Sequence, residues 1–421
     1  MKNSGVEWIG EIPEDWEVKR GKELFFEIND RCKNPENYPL LSVSEYYGVA
    51  PKSEKIDEGD FITHAETLDG YKICQEGDIV QNIMLAWKRA TGMSNYEGLI
   101  SPAYCIYRPF KGVDSKYYHY LFRTDVYADL FKQFSTGIID SRLRLYPAKF
   151  LSLKYAYPPK STQQRIASYL DKKCSKIEET IQNQQQVIEK LKAYKQSLIT
   201  EAVTGKIKIQ NEIPDFKYCN LGFIAEFKNG LNYNASDFGT EVKFLGVGDF
   251  QNYLVLNDES MFSNIITDTE IEDDYYLKNG DIIFVRSNGS KELVGRAIMV
   301  DNIDFKVTYS GFCIRLRNKE PQKINSKFLL YFFRSDHFRN ELQRLSQGSN
   351  ISNINQDLLS HIKIPLVEMR FQESVIDFLN KKCTAIDTAI EQKQNLIEKL
   401  TEYKKSLIYE CVTGKKEVIN V

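Results

Sequence analysis

Residues 171–206, DKKCSKIEETIQNQQQVIEKLKAYKQSLITEAVTGK, return 209 positions later as NKKCTAIDTAIEQKQNLIEKLTEYKKSLIYECVTGK, with 20 of 36 positions identical and no gap. The chain is therefore a duplicated unit, and each copy ends in a long helix. Fainter echoes precede that helix. Ile12-Pro13 before Trp16 matches Ile213-Pro214 before Phe216, Gly77-Asp78-Ile79-Val80 matches Gly280-Asp281-Ile282-Ile283, and Tyr104-Cys105-Ile106 matches Phe312-Cys313-Ile314. Phe122-Arg123, Asp125 and Gly137 fall opposite Phe333-Arg334, Asp336 and Gly348. Two globular modules thus share one fold, agreeing closely in their helices and loosely elsewhere. Divergence on a fixed scaffold is expected when each module reads something different, and twofold pseudo-symmetry suits duplex DNA, the commonest target with a dyad.

The helices carry a heptad stripe. Ile177, Ile181, Gln184, Ile188, Leu191, Lys195, Leu198 and Ala202 follow 4,3 spacing, and Ile386, Ile390, Lys393, Ile397, Leu400, Lys404, Leu407 and Cys411 repeat it. Such spacing winds helices into a coiled coil, and the polar residues at matching seam positions fix register. Gly205 and Gly414 suit left-handed caps at the helix ends. A helix from about residue 163 to 204 is roughly 60 Å long. The second module starts directly after Gly205, so antiparallel pairing asks it to bridge only a short gap, whereas parallel pairing asks it to span the helix. Antiparallel pairing is expected, with the modules at opposite ends of a rigid spacer.

Bulk properties bound the function. At 421 residues, 42% apolar and 12% aromatic, the chain has room for two or three ordinary domains. No apolar run long enough for a membrane span occurs, and the start, MKNSGVEWIGEIPEDW, has no apolar signal core, so a cytoplasmic location is expected. Eight cysteines lie singly, without CxxC or Cys/His spacing, and read as reduced packing residues. A net charge of −2 argues against a uniformly basic DNA binder. The charge is uneven, however. Ser141–Leu170 holds no acid and six basic residues, and Val80–Tyr96 is acid-free with Lys88 and Arg89. A local basic surface is left, and phosphate binding is expected to need help from a partner protein.

Within each module, GDIVQNIML and GDIIFVRS read as a turn followed by a strand, and AYCIYRPF and FCIRLRN as core strands. Ser115 and Ser326 are expected N-caps of aromatic-rich helices running to about Phe134 and Leu345. Base edges are read by Arg on guanine and by Asn or Gln on adenine, with Ser and Thr serving phosphates and bases. Four loop segments have that composition. The candidate DNA-binding residues are Gln81, Asn82, Lys88 and Arg89, then Thr136, Ser141, Arg142 and Arg144 in the first module. In the second they are Arg286, Asn288 and Lys291, then Gln347, Ser349, Asn350, Ser352 and Asn353. The plain alternative for each is a solvated surface loop. Trp87, between Ala86 and Lys88, has two readings, a ring that stacks on sugar or base and, the favoured one, packing in the core.

Signatures of independent catalysis are missing. There is no GxxxxGK[ST] loop and no glycine-rich strand-to-helix turn for a nucleotide or methyl donor. There is also no Asn/Asp-Pro-Pro-aromatic tetrapeptide of the kind amino-methyltransferases use. His64, His119, His337 and His361 are isolated, with no metal or triad spacing. Metal sites and catalytic residues are therefore expected to be none.

The chain closely resembles the specificity (S) subunit of type I restriction-modification enzymes. The carriers are GEIPEDWEVK (Gly10–Lys19), Pro158-Pro159 with Gln163-Gln164, Ile166 and Leu170, and IEKLxxYKxSLIxExVTGK in both copies. The resemblance implies an α+β chain of two homologous α/β target-recognition domains joined by two long antiparallel helices that form a coiled coil, an internal pseudo-twofold repeat. The expected bounds are 1–160 for the first domain, 161–206 for the first spacer helix, 207–368 for the second domain, 369–416 for the second helix and 417–421 for a tail. It further implies that each domain binds half of a split, asymmetric double-stranded DNA site, and that the helices dock methylase (modification) subunits. Restriction subunits are expected to join them. S-adenosylmethionine, ATP and Mg are expected on those partners, and none on this chain. The competing reading is a coiled-coil scaffold that organises proteins without reading DNA.

Overall fold

The computed structural model describes residues 1–419 except 54–67, 69, 210–214, 233–238, 251–252, 269, 291 and 347–352. The chain forms two compact units, one joining 1–184 with 395–421 and the other spanning 185–394. Each unit holds one globular module and half of each long helix, Lys160–Val203 and Met369–Val412.

The first module is built on four antiparallel strands in the order Phe25–Ile28, Tyr104–Pro109, Ile79–Asn82, Thr91–Met93. Side chains alternate across a strand, so Ile79, Cys105 and Tyr107 enter the core against the helices. Val80 and Ile106 enter a smaller cluster with Leu41, Val43 and Ile100 on the other face. The second module repeats this with Ala225–Asn229, Cys313–Asn318, Ile282–Val285 and Ala297–Val300, and adds Val255–Leu256 in parallel at the edge. There Ile282, Phe284, Ile314 and Leu316 face the helices, and Ile283, Val285 and Cys313 face the second cluster. Burial on both faces explains why these strands read as nearly continuous apolar runs.

The aromatic-rich segments are each two helices, not one. They run Ser115–Phe122 then Asp125–Gln133, and Ser326–Phe333 then Asp336–Leu345. The caps fall one residue before the expected serines. The Asp114 carboxylate accepts from the backbone N–H of Lys116 and Tyr117, and the Asn325 side chain from that of Lys327. The breaks are also duplicated. Thr124 Oγ1 donates back to Leu121 O at 2.8 Å and Ser335 Oγ to Phe332 O at 2.6 Å, a local bond that competes with the helical ladder.

The long helices pack against each other in each unit, antiparallel as expected. In the first unit Lys404 pairs with Glu178, and Ile177 shares a core with Leu407 and Cys411. In the second, Lys195 Nζ lies 2.6 Å from Asp387, and Leu198 and Ala202 share a core with Leu379 and Ile386. Seventeen residues forward along the first helix move the partner seventeen back along the second, as antiparallel pairing requires. Of the expected seam, Ile177, Ile188, Leu198, Ile386 and Leu407 are buried, and Ile181, Leu191, Ile390, Ile397 and Leu400 are half-buried. Both helices end at left-handed glycines, Gly205 and Gly414. A Cβ on Gly205 would overlap the Phe216 ring, and one on Gly414 would overlap Pro13, so each helix end closes on the start of a module.

One fully buried side chain fastens each module to its helix. Gln163 Oε1 accepts from Asp114 N at 2.8 Å while its Nε2 donates to Pro158 O at 2.8 Å and Gly112 O at 3.3 Å. Gln372, its repeat, accepts from Asn325 N at 2.8 Å and donates to Val367 O at 2.8 Å and Lys323 O at 2.9 Å.

Candidate nucleic-acid interface

Gln81 and Asn82 are not on a loop. They end the central strand Ile79–Asn82 and are buried, Gln81 completely. Tyr107 Oη donates to Gln81 Oε1 at 3.3 Å, and Asn82 Oδ1 accepts from Met84 N at 3.1 Å, so both amide oxygens are engaged inside the module, while the buried Gln81 Nε2 has no hydrogen-bond partner. The candidate surface in this segment begins at Ile83. Trp87 packs against the core as expected, its Nε1 donating to Met84 O at 3.1 Å. The Nζ atoms of Lys132 and Lys88 lie 4.8 and 5.3 Å from its ring centroid. Lys88 is exposed. Arg89 adopts the left-handed conformation at φ 67° and pairs with Asp125, which offsets part of its charge.

Thr136–Arg144 forms a closed arm. Thr136 N donates to Arg144 O at 2.9 Å, and Arg144 N returns a bond to Thr136 O at 3.0 Å. Gly137 sits at φ 155°, where a Cβ would meet Arg142 O at 2.6 Å. Ser141 and Arg142 are exposed and Arg144 is half-buried. Directly after the arm, Leu145 N donates to Ile83 O at 2.9 Å. That bond joins the two segments that composition had singled out separately.

The second module repeats the junction. Ile354 N donates to Arg286 O at 2.9 Å, and Ser287 bridges Asn353. Arg286, Asn288 and Asn353 are thereby gathered on one edge. Asn288 Oδ1 accepts from Ser290 N at 2.8 Å and shapes its own turn. Of the same segment, Ile354 is core and Asn355 caps the helix Gln356–Ser360. Lys291, Gln347, Ser349, Asn350 and Ser352 lie outside the described residues.

Several residues that support these edges were not singled out in the sequence. The Asp78 carboxylate receives two bonds of 2.9 Å from Arg108 and one of 2.9 Å from Gln75 N. Asp281 receives Arg317 at 2.6 and 2.8 Å and Lys278 N at 2.8 Å. The Gly-Asp turn before each central strand is therefore locked by a bidentate arginine on the neighbouring strand. The arginines of YCIYRP and CIRLRN take the same place because the strand register sets Tyr104, not Cys105, opposite Cys313, one residue away from the match read in the sequence. Arg123 donates to the carbonyls of Arg89 at 2.7 Å and of Glu45 and Tyr46 at 2.9 Å, and burial lowers its pKa to about 10. Beside it, burial together with the Arg123 and Lys116 charges lowers His119 to about 3, and His119 Nδ1 accepts from Met93 N. These groups hold the edge in place and do not face outward as cations.

On the outer surface, Ile138 is 100% exposed and Ile139 53% in the first module, and Phe312 is 58% exposed in the second. Phe312 O accepts from Arg286 N at 2.7 Å, so an aromatic ring stands beside a candidate arginine.

Comparison with known proteins agrees with this geometry. Residues 214–401 match the type I restriction modification DNA specificity domain. The StySPI specificity subunit of Salmonella potsdam is 26% identical over 435 residues, covering 96% of this chain and 90% of the relative. By these matches the chain is similar to type I specificity subunits along nearly its whole length. The EcoKI specificity subunit of Escherichia coli (strain K12) is 23% identical, with 96% and 90% coverage. Among solved structures, the fold is shared with a chain from work on complex assembly and conformational transition of the type I R-M system. That chain has a TM-score of 0.72 at 12% identity, with 96% of this chain and 100% of that one covered. The HsdS subunit from Thermoanaerobacter tengcongensis has a TM-score of 0.57 at 14% identity, with 96% and 98% coverage. Specificity-subunit likeness thus extends over both modules, including the first, which lies outside the family-model match.

Proposed function

We propose that this chain is the DNA-reading subunit of a type I restriction-modification complex, itself without catalytic residues. Each module reads one half of a split, asymmetric duplex site, and the paired helices dock methylase subunits, with restriction subunits completing the assembly. S-adenosylmethionine serves the methylase, and ATP and Mg the restriction subunits. The observation that carries this reading is the duplicated junction, Leu145 to Ile83 and Ile354 to Arg286, each at 2.9 Å. A constant backbone bond presents different side chains: Lys88, Ser141, Arg142 and Arg144 on one edge, Arg286, Asn288 and Asn353 on the other. Arginines supply phosphate contacts or bidentate readout of guanine, and the asparagines readout of adenine. Lys291 and the segment Gln347–Ser352 are proposed to extend the second edge. No described helix is long and apolar enough to cross a membrane, and we place the complex in the cytoplasm.

Binding of this chain with its methylase partner to random duplexes, measured across salt, tests the reading. Affinity should fall steeply with salt as phosphate counterions are released, and Arg142→Ala should lower the slope by about 1. A complex that assembles but shows no DNA-dependent signal would favour the scaffold reading.

A further inference from the structure

We infer that the arm Thr136–Arg144 carries an apolar wedge, Ile138 with Ile139, that enters the duplex and opens one base-pair step in the half-site read by the first module. This rests on the DNA-reading function proposed above. Ile138 makes no contact that shields it from water, and its neighbour is more than half exposed. Large aliphatic side chains at a loop tip are normally folded back onto the protein, because leaving them in water is unfavourable. Here the arm cannot fold back. Its base is closed by two backbone bonds between Thr136 and Arg144, its turn is fixed at Gly137, and Lys132 ties Asp140 at 2.9 Å. Isoleucine is also stiff about its first side-chain torsion. The structure therefore holds the two side chains out as an apolar point on an arm closed at its base.

Charge identifies the occupant. Arg142 and Arg144 follow the tip within the arm, and Lys149 is exposed just beyond it. The one acid of the arm, Asp140, is taken up by Lys132. An apolar point set among cations fits an anionic partner with an apolar interior. Duplex DNA has that make-up, phosphates outside and stacked base faces within. Proteins that insert isoleucine, leucine or phenylalanine between base pairs unstack and kink the step, with arginine and lysine on the flanking phosphates. Specificity then follows from how easily the step deforms, and pyrimidine–purine steps open most readily. Direct readout by hydrogen bonds would leave this tip without a purpose, since isoleucine offers no donor or acceptor.

The test uses the full chain with its methylase partner, without S-adenosylmethionine. The probe is a duplex carrying the site mapped from modified adenines. The adenine analogue 2-aminopurine is placed in turn at each half-site position other than the modified adenine. A several-fold rise in its fluorescence at one step is expected only in the half-site that changes when residues 1–160 are exchanged. The double variant Ile138→Ala, Ile139→Ala should abolish that rise and weaken binding about tenfold. Ile138→Leu should keep the rise. Binding with no rise at any step, or a rise unchanged in the double variant, would overturn the wedge and leave the DNA-reading function standing. A wild-type complex that binds no duplex would instead overturn the function itself. Both isoleucines being exposed, the folded state should be unchanged, which melting temperature checks.

Discussion

The two units are the same machine fitted with different tips and different joints. Four interactions are held in both: the buried glutamine (Gln163, Gln372), the Asp–Arg lock (Asp78 with Arg108, Asp281 with Arg317), the seam ion pair (Glu178 with Lys404, Asp387 with Lys195) and the edge junction. Two of these four, the glutamine and the edge junction, use backbone groups as partners, so the surrounding sequence can drift without loosening them. The tips differ, with Ile138 and Ile139 on one and Phe312 beside Arg286 on the other. The joints between helix and module differ too. In the second unit Gln196 Nε2 donates to Arg334 O at 2.8 Å and Asp336 Oδ1 at 2.9 Å, while Thr200 Oγ1 accepts from Asp336 N at 2.9 Å. The repeat positions in the first unit are Lys405 and Tyr409. They line an open charged groove of about 1470 Å³ with Lys116, Asp171 and Glu178. The frame has thus been kept in both units, while the edges and one joint differ.

The largest expected effect comes from breaking the shared frame. Gln163→Ala removes the bonds to Asp114 N and Pro158 O, with Gly112 O still accepting from Tyr157 Oη, and should cost the first unit about 3 kcal/mol. Gln372→Ala should cost the second unit a similar amount. Hydrogen exchange resolved by unit checks that each loss stays local, and equal loss in both units from one variant would break the account of two separate frames. Next come the helix ends. Gly205→Ala forces a left-handed residue and a clash with Phe216, an expected loss of about 2 kcal/mol by thermal unfolding, matched by Gly414→Ala against Pro13. The joints should respond unequally. Gln196→Ala should destabilise the second unit by about 1 kcal/mol, while Lys405→Ala should leave the first nearly unchanged. Smallest of all, Lys195→Ala and Lys404→Ala remove solvent-facing ion pairs and should each cost under about 1 kcal/mol in denaturant titration, and less at high salt.

The sequence was most readable where its period is long and its chemistry local. The duplication, the heptad, the antiparallel pairing and the glycine ends of both helices all follow from spacing. Gln81 and Asn82 misled because two amides in GDIVQNIML resemble a loop, yet pairing with Tyr104–Pro109 buries them and Tyr107 supplies a partner that no local window contains. Ser115 and Ser326 lost the cap to the preceding Asp114 and Asn325, whose longer side chains reach the first free N–H groups. Gln163 was visible as a motif residue, but its burial depends on carbonyls from 112 and 158 meeting at one point. The edge junction was out of reach for the same reason, since its partners are 62 and 68 residues apart in the chain.

The central claim is that one edge per module sets one half of the site. Residues 83–89 and 136–144 are exchanged together for those of a relative, and modified adenines are mapped in a genome carrying the chimaera and its methylase partner. One half-site should change while the other half-site and the gap between them stay as they were. A change in both halves, or in neither with modification intact, would contradict the account.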